Sequence, residues 1–187
     1  MKRCKWCNIK NKVYVDYHDN EWGVLNLEEK YLLEMLILES FQSGLSWECI
    51  LNKREAFKKA YDNFDIEKIL KYDLNKINEL INNKDIIKNK LKIKYSIENT
   101  KIFKSISLKY NGFGNYLLSF FKKYPIYETG KVTSNISDLI SKDLKSKGMK
   151  YVGSKVIYSY LQAIGLINSH ENGCFKQKIM LLSLWKW

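Results

Sequence analysis

The strongest hydrophobic patterning lies between Glu28 and Gln42, where Tyr31, Leu32, Leu33 and the run Met35 to Leu38 make an almost wholly apolar middle. A helix that is apolar on all sides is a buried one, so this segment is predicted to form the centre of the core. Ser46 offers a capping hydroxyl to a second helix running to about Tyr61, and Asp65 and Asp73 cap two short ones. A long helix is predicted from about Lys88 to Lys109, with Leu91, Tyr95, Ile102 and Ile106 along one side. Gly112 to Lys123 reads as another, rich in aromatic residues, and Ser137 to Lys147 ends at Gly148, which is suited to close a helix. Ser154 to Ile167 is the last long one. Alternating strand patterns are scarce, and the expected fold class is all-α.

With 187 residues, 45% of them apolar, the chain can bury one continuous core. The expected organisation is a single globular unit, 1–187, of two packed helical lobes. There is one proline, Pro125, and no low-complexity linker or internal repeat. No apolar run approaches the ~18 residues needed to span a bilayer. The most apolar stretch, Ile179 to Trp187, is half that length and is expected to pack on the body or a partner. Met1-Lys2-Arg3 leads into a polar stretch rather than a signal peptide, so a cytoplasmic monomer without membrane contact is expected. Charge adds a hint: 32 Lys and Arg against 20 Asp and Glu give +12. That excess favours a polyanionic partner through counterion release, although a genome biased toward A and T produces the same wealth of Lys, Asn and Ile. Charge alone is permissive.

Both histidines of the chain, His18 and His170, have cysteines nearby. His170 and Cys174 form an H-x3-C pair that can reach one metal from a single turn; Cys4 and Cys7 form C-x2-C near the other end. Thiolates and imidazoles in a tetrahedral set are the ligands that zinc takes. Five candidates, Cys4, Cys7, His18, His170 and Cys174, compete for four places, and ordinary buried thiols with surface histidines are the alternative. Four bound ligands leave no position for water, so such a zinc would be structural. Joining the two ends of the chain would add on the order of 10 kcal/mol to folding. Four cysteines without an export signal point to reduced thiols or metal ligands, not disulfides.

Aromatic and acidic residues concentrate in Tyr14 to Val24 and in Leu38 to Trp47. Helical spacing puts Glu39 on the same face as Leu32, Met35 and Leu36, where an ionised carboxylate is costly unless something pairs with it. An Arg or Lys partner, or a helix end near solvent, is one explanation. A cationic or hydrogen-bonding ligand is the other.

These segments resemble the bacterial 3-methyladenine DNA glycosylase I family. The likeness rests on Arg3-Cys4-x-Trp6, Tyr17-His18-Asp19-Asn20-Glu21-Trp22-Gly23-Val24, and Leu38-Glu39 through Gln42-x-Gly44-Leu45-Ser46-Trp47. It continues through Ile86-Ile87-x-Asn89-Lys90-x-Lys92-Ile93, Ile140-Ser141-Lys142-Asp143-Leu144-Lys145 and Tyr151-Val152-Gly153. It ends with Gln162-Ala163-x-Gly165-Leu166-Ile167-Asn168 and His170-x3-Cys174, so it spans nearly the whole chain. The resemblance implies a helix-hairpin-helix DNA glycosylase fold with the hairpin near 82–93. It implies a structural zinc (Zn2+) joining the N- and C-terminal regions through Cys4, His18, His170 and Cys174, which leaves Cys7 outside. The implied activity is base-excision repair: hydrolysis of the N-glycosidic bond of 3-methyladenine in alkylated double-stranded DNA, with free 3-methyladenine as product and no lyase step. Glu39 would contact the flipped base, Tyr17 and Trp47 would sandwich or line it, and Trp6, Trp22 and Tyr14 would complete an aromatic pocket. Gly44 and Leu45 would wedge into the duplex, and Lys84, Lys88, Lys90 and Lys92 would meet the DNA backbone.

The chain departs from the family pattern at a few places. Asp85 stands where the hairpin usually has a glycine, Leu118 where a Trp is usual, and Leu25 where a proline is usual. Asp85 adds a negative side chain where backbone amides would approach a phosphate. The stretch 175–187 has no clear family counterpart. A zinc-stapled DNA-binding relative without catalysis is the alternative reading. Glycosylases of broader range and an RNA-binding module stand behind it.

Overall fold

In a computed structural model, residues 1–177 are described; most of the apolar tail expected at 175–187 therefore lies outside the described residues. Helix α1 (Lys12–Asn20) has no counterpart in the hydrophobic pattern. Its inward face is Tyr14, Tyr17 and His18, amphipathic residues that a hydrophobicity pattern does not register, and the Asn11 side chain caps it by accepting from the Val13 and Tyr14 amides. Helix α2 (Glu29–Gln42) is the predicted core helix, buried on every side from Leu32 to Phe41.

The helix expected from Ser46 to Tyr61 is two helices, α3 (Trp47–Asn52) and α4 (Arg54–Ala60), broken at Lys53. Ser46 caps the first as predicted, its hydroxyl accepting from the Cys49 amide at 3.2 Å. After a 3-10 turn at Asp62–Phe64 come α5 (Ile66–Ile69) and α6 (Leu74–Asn82), capped by Asp65 and Asp73. Helix α7 (Lys90–Tyr110) begins at Asn89, whose side chain accepts from the Lys92 amide. Helices α6 and α7 pack on each other through a short connection, and the hairpin expected near 82–93 falls on it.

The buried side of α7 runs through Ile93, Ile97, Phe103 and Ile106; of the expected row Ile106 is buried, Tyr95 and Ile102 are half-buried, and Leu91 is 56% exposed. The reason is polar residues that bury cheaply: Ser96 and Thr100 donate their hydroxyls to the carbonyls of Ile93 and Ser96, at 2.8 Å each. Helix α8 (Phe113–Leu118) stops short of the expected Lys123. A two-residue strand β1 (Ile126–Tyr127) follows, then α9 (Asn135–Ser146). Ser134 is the true cap of α9, and Ser137 completes its capping box three residues in.

Helix α10 (Ser154–Ala163) ends before the expected Ile167, and strand β2 (Ile167–Asn168) pairs in parallel with β1. The stop is Gly165, at φ +78°, where a Cβ would lie 2.2 Å from the Val24 carbonyl carbon. That close approach, with Gly23 and Asn26 amides donating to the Gln162 and Ile164 carbonyls, locks the loop after Trp22 onto the end of α10. Among the described residues the fold is all-α apart from β1 and β2, and no helix there is long and apolar enough to cross a membrane.

Candidate active site

Helices α1, α2, α3 and α10 surround a cavity of about 260 Å³. Its lining includes all six residues expected there: Glu39, Tyr17, Trp47, Trp22, Trp6 and Tyr14. Glu39 is 3% exposed, its Oε2 has no hydrogen-bond partner, and no ion pair reaches it among the described residues. Burial alone pushes its carboxyl well above the usual carboxylate range. Glu34, on the same helix, is the comparison. It is also buried, but Arg54 Nε donates to its Oε1 at 2.7 Å, and the same guanidinium holds Glu21. The Arg-partner explanation therefore holds for Glu34 and not for Glu39.

The rings form a wall. Trp6 meets Trp22 edge-on at 4.7 Å between centroids and Tyr14 at 5.2 Å. Tyr17 and Trp47 lie 5.5 Å apart, tilted by 57°. Two rings gripping a third need about 7 Å between them, twice a carbon contact distance, so this pair lines the cavity and does not sandwich it as it stands. The Trp47 indole nitrogen is buried without a partner. Desolvation raises the Tyr14 hydroxyl to about 12 and the Tyr17 hydroxyl well above its ordinary value, so both stay neutral donors.

Sequence reasoning missed part of the lining: Gln42, Ser159, Gln162, Ser169 and the pair Gly130 and Lys131. Gln42 was legible, being three residues on from Glu39 along one helix face. Lys131 comes from the loop after β1, and no local pattern places it here. Its ammonium is paired with Glu128 at 2.5 Å.

Beside the cavity opens a second cleft, of about 400 Å³, with Gly44, Leu45, Lys131 and Lys155 among its lining residues. Gly44 adopts φ +85°, the left-handed turn that favours glycine, and carries Leu45 out to 40% exposure. Lys84, Lys88 and Lys90 are exposed along the hairpin. Lys92 is a correction. It is 6% exposed, and its ammonium donates to the carbonyls of Phe41 at 2.8 Å and Ser43 at 2.7 Å, so it faces the end of α2 and does not stand out along the hairpin with the other three. Asp85 does not require a glycine's backbone, since its φ is not positive; its amide donates to the Asn83 side chain and its carbonyl accepts from Lys53.

Cys4, His18, His170 and Cys174 come together, all buried, with ligand atoms within 4.8 Å of one another. Cys4 Sγ lies 3.5 Å from His170 Nδ1, and Cys174 Sγ lies 3.6 Å from both His170 Nδ1 and His18 Nε2. A tetrahedral zinc with bonds of about 2.3 Å to sulfur and 2.0 Å to nitrogen has sulfur–nitrogen edges of about 3.5 Å. The donor set fits that ion. The other nitrogens are tied down as metal-ligating histidines require. His18 Nδ1 meets Asp19 at 2.7 Å, which Arg3 clamps from the far side, and His170 Nε2 donates to the Trp22 carbonyl at 3.1 Å. Burial lowers both imidazoles, His170 to about 4, keeping them in the neutral ligand form. Cys7 stands apart, its thiol directed at the Tyr14 carbonyl.

Comparison with known proteins gives the family and the fold. The family described as methyladenine glycosylase matches residues 6–177. DNA-3-methyladenine glycosylase 1 of Escherichia coli strain K12 is 36% identical over 180 residues, covering 93% of this chain and 96% of that protein. A crystal structure of a 3-methyladenine DNA glycosylase I shares the fold with a TM-score of 0.88 at 34% identity, over 93% of this chain and 98% of that one. A variant of a 3-methyladenine DNA glycosylase I solved in complex with 3-methyladenine gives 0.88 at 29% identity, over 94% and 97% of the two chains. The chain belongs to the methyladenine glycosylase family.

Proposed function

We propose that this protein releases 3-methyladenine from alkylated double-stranded DNA by hydrolysing its N-glycosidic bond. The observation that carries the proposal is Glu39, a buried carboxyl without a partner, facing a cavity walled by aromatic rings. 3-Methyladenine in DNA is a cation. A cationic purine entering the cavity supplies the charge that Glu39 lacks and meets ring faces that attract it, with base stacking worth about 1–3 kcal/mol. The Glu39 carboxylate accepts a hydrogen bond from the exocyclic amine, which reads the base as an adenine.

The bond between C1′ and the base breaks with its electron pair passing to the purine, which neutralises the base. Water adds to the oxocarbenium-like sugar and loses a proton, leaving an abasic site and free 3-methyladenine. No acid or base of the protein is assigned to that step, because the cationic base is already a good leaving group. Lys131, the lysine among the cavity's lining residues, is ion-paired with Glu128, and no lysine is assigned as a nucleophile, so the reading is of a monofunctional enzyme. Extruding a damaged base costs a few kcal/mol. Leu45, half-exposed on its glycine turn, fills the gap, while Lys84, Lys88 and Lys90 neutralise backbone phosphates.

Zinc held by Cys4, His18, His170 and Cys174 would be a staple, since four protein ligands leave it no open position. It would tie both termini to the aromatic wall, because His170 bonds the Trp22 carbonyl and packs on the Trp22 ring at 4.6 Å.

Replacing Glu39 by Gln is expected to cut release of free 3-methyladenine from methylated duplex by roughly 10- to 100-fold, as loss of a charge-assisted hydrogen bond does. Chromatography of the released base checks this, and unchanged release would refute the role; the DNA strand should stay uncut in either case. The same variant tests the ionisation. A carboxyl raised above its ordinary 4.5 gives stability that is complete below that pH and lost as pH rises through the folded value. Urea unfolding at a series of pH values should therefore show Glu39→Gln gaining on the native protein as pH increases, and a flat difference would contradict it. Metal analysis is expected to find one zinc per chain, lost in Cys174→Ser and kept in Cys7→Ser, with chelation lowering the melting temperature.

A further inference from the structure

Helix α2 carries Glu39 and ends at Gln42, and its last turn contains no basic residue of its own. The carbonyls at a helix C-terminus are unpaired and carry the negative end of the helix dipole, so they call for a donor or a cation. Lys92 supplies both from another element. Its ammonium reaches the carbonyls of Phe41 and Ser43 on either side of Gln42, and its ring neighbour is Tyr151, 5.9 Å away. Lys92 sits in the first turn of α7, three residues after the cap Asn89, and so belongs to the hairpin.

The segment it holds is short and consequential. From Ser43 the chain passes through the left-handed Gly44 to Leu45, whose amide donates back to the Gln42 carbonyl at 2.6 Å, and then through Ser46 to Trp47 of the cavity wall. Other polar contacts of α7 lead elsewhere: Ser107 to Glu29 at the opposite end of α2, Asn99 to Lys150, and Lys104 to Glu67. At the hairpin end, the tie to the Leu45 turn is Lys92.

We propose that Lys92 is a positioning residue that fixes the Gly44–Leu45 turn relative to the hairpin. When the hairpin grips the backbone, the wedge is then already aimed at the base stack. The inference rests on the glycosylase reading of Leu45 as the wedge. A side chain that only stabilised the fold would affect all substrates alike. A tie to the wedge matters most where a base stack must be opened.

The test compares Lys92→Met, Lys92→Arg and Leu45→Ala, alone and combined, on methylated duplex and methylated single-stranded DNA, with the folded fraction of each fixed by thermal melting. Lys92→Met is expected to slow release from duplex roughly 10- to 100-fold and from single strands less than about threefold. Lys92→Arg should recover most of the duplex rate. Lys92→Met should add no further duplex loss once Leu45 is Ala, because the two act as a unit. Where Lys92→Met does not fold, Lys92→Gln, which keeps an uncharged amide donor, is read by the same duplex-to-single-strand ratio. Equal losses on both substrates, or fully additive losses with Leu45→Ala, would overturn the inference. A native protein that released no 3-methyladenine from either substrate would instead overturn the glycosylase reading beneath it.

Discussion

A carboxyl group taken out of water must find a cation, find several donors, or hold its proton, and α2 shows two of these outcomes side by side. Glu34 has Arg54 against it. Glu39, five residues on and equally buried, faces a cavity walled by aromatic rings and a few polar side chains, and no cation pairs with it among the described residues. The uncompensated burial of Glu39 is a standing cost in stability, of the kind that protein interiors avoid unless something outside them removes it. In the proposed function a cationic base removes it on entry. Selectivity then follows from the same physics: an undamaged, neutral base brings no charge to offset the ionised carboxylate and gains less from the ring faces.

The rest of the chain can be read as what keeps that cavity open and its walls fixed. The rings of Trp6, Trp22, Tyr14, Tyr17 and Trp47 lie on elements that would drift apart without ties at their ends. His170 ties Trp22 to the thiol and imidazole cluster that joins the two termini. The close approach of Gly165 to Val24 presses the adjoining loop onto α10. Lys92 closes the far side, where α2 turns into Leu45. Each of these contacts joins residues far apart in sequence, so the pocket is a product of the tertiary fold and not of any one segment.

That distinction decides how much the sequence revealed. The core helix α2 and the caps Ser46, Asp65 and Asp73 were legible from local spacing, and the Cys and His pairs marked five metal-ligand candidates; that Cys4, His18, His170 and Cys174 are the four that converge, with Cys7 outside, followed only from the family resemblance. The face of α7 was misread because Ser96 and Thr100 bury their hydroxyls on the helix's own carbonyls. Helix α1 was missed because its inward face is made of tyrosines and a histidine. Lys92 looked like one more basic residue of the hairpin, and only the fold reveals two carbonyls waiting for it. Lys131 enters the cavity from a loop whose path no periodicity encodes.

The central claim concerns the ionisation of one side chain, and carbon-13 NMR of the Glu39 carboxyl reports it directly, with Glu39→Gln identifying the signal. In the free protein the account predicts a titration midpoint well above that of an ordinary glutamate, moving downward when a cationic methylated purine occupies the cavity. A midpoint near the ordinary 4.5 in the free protein would contradict the account, as would a midpoint that ignores the ligand.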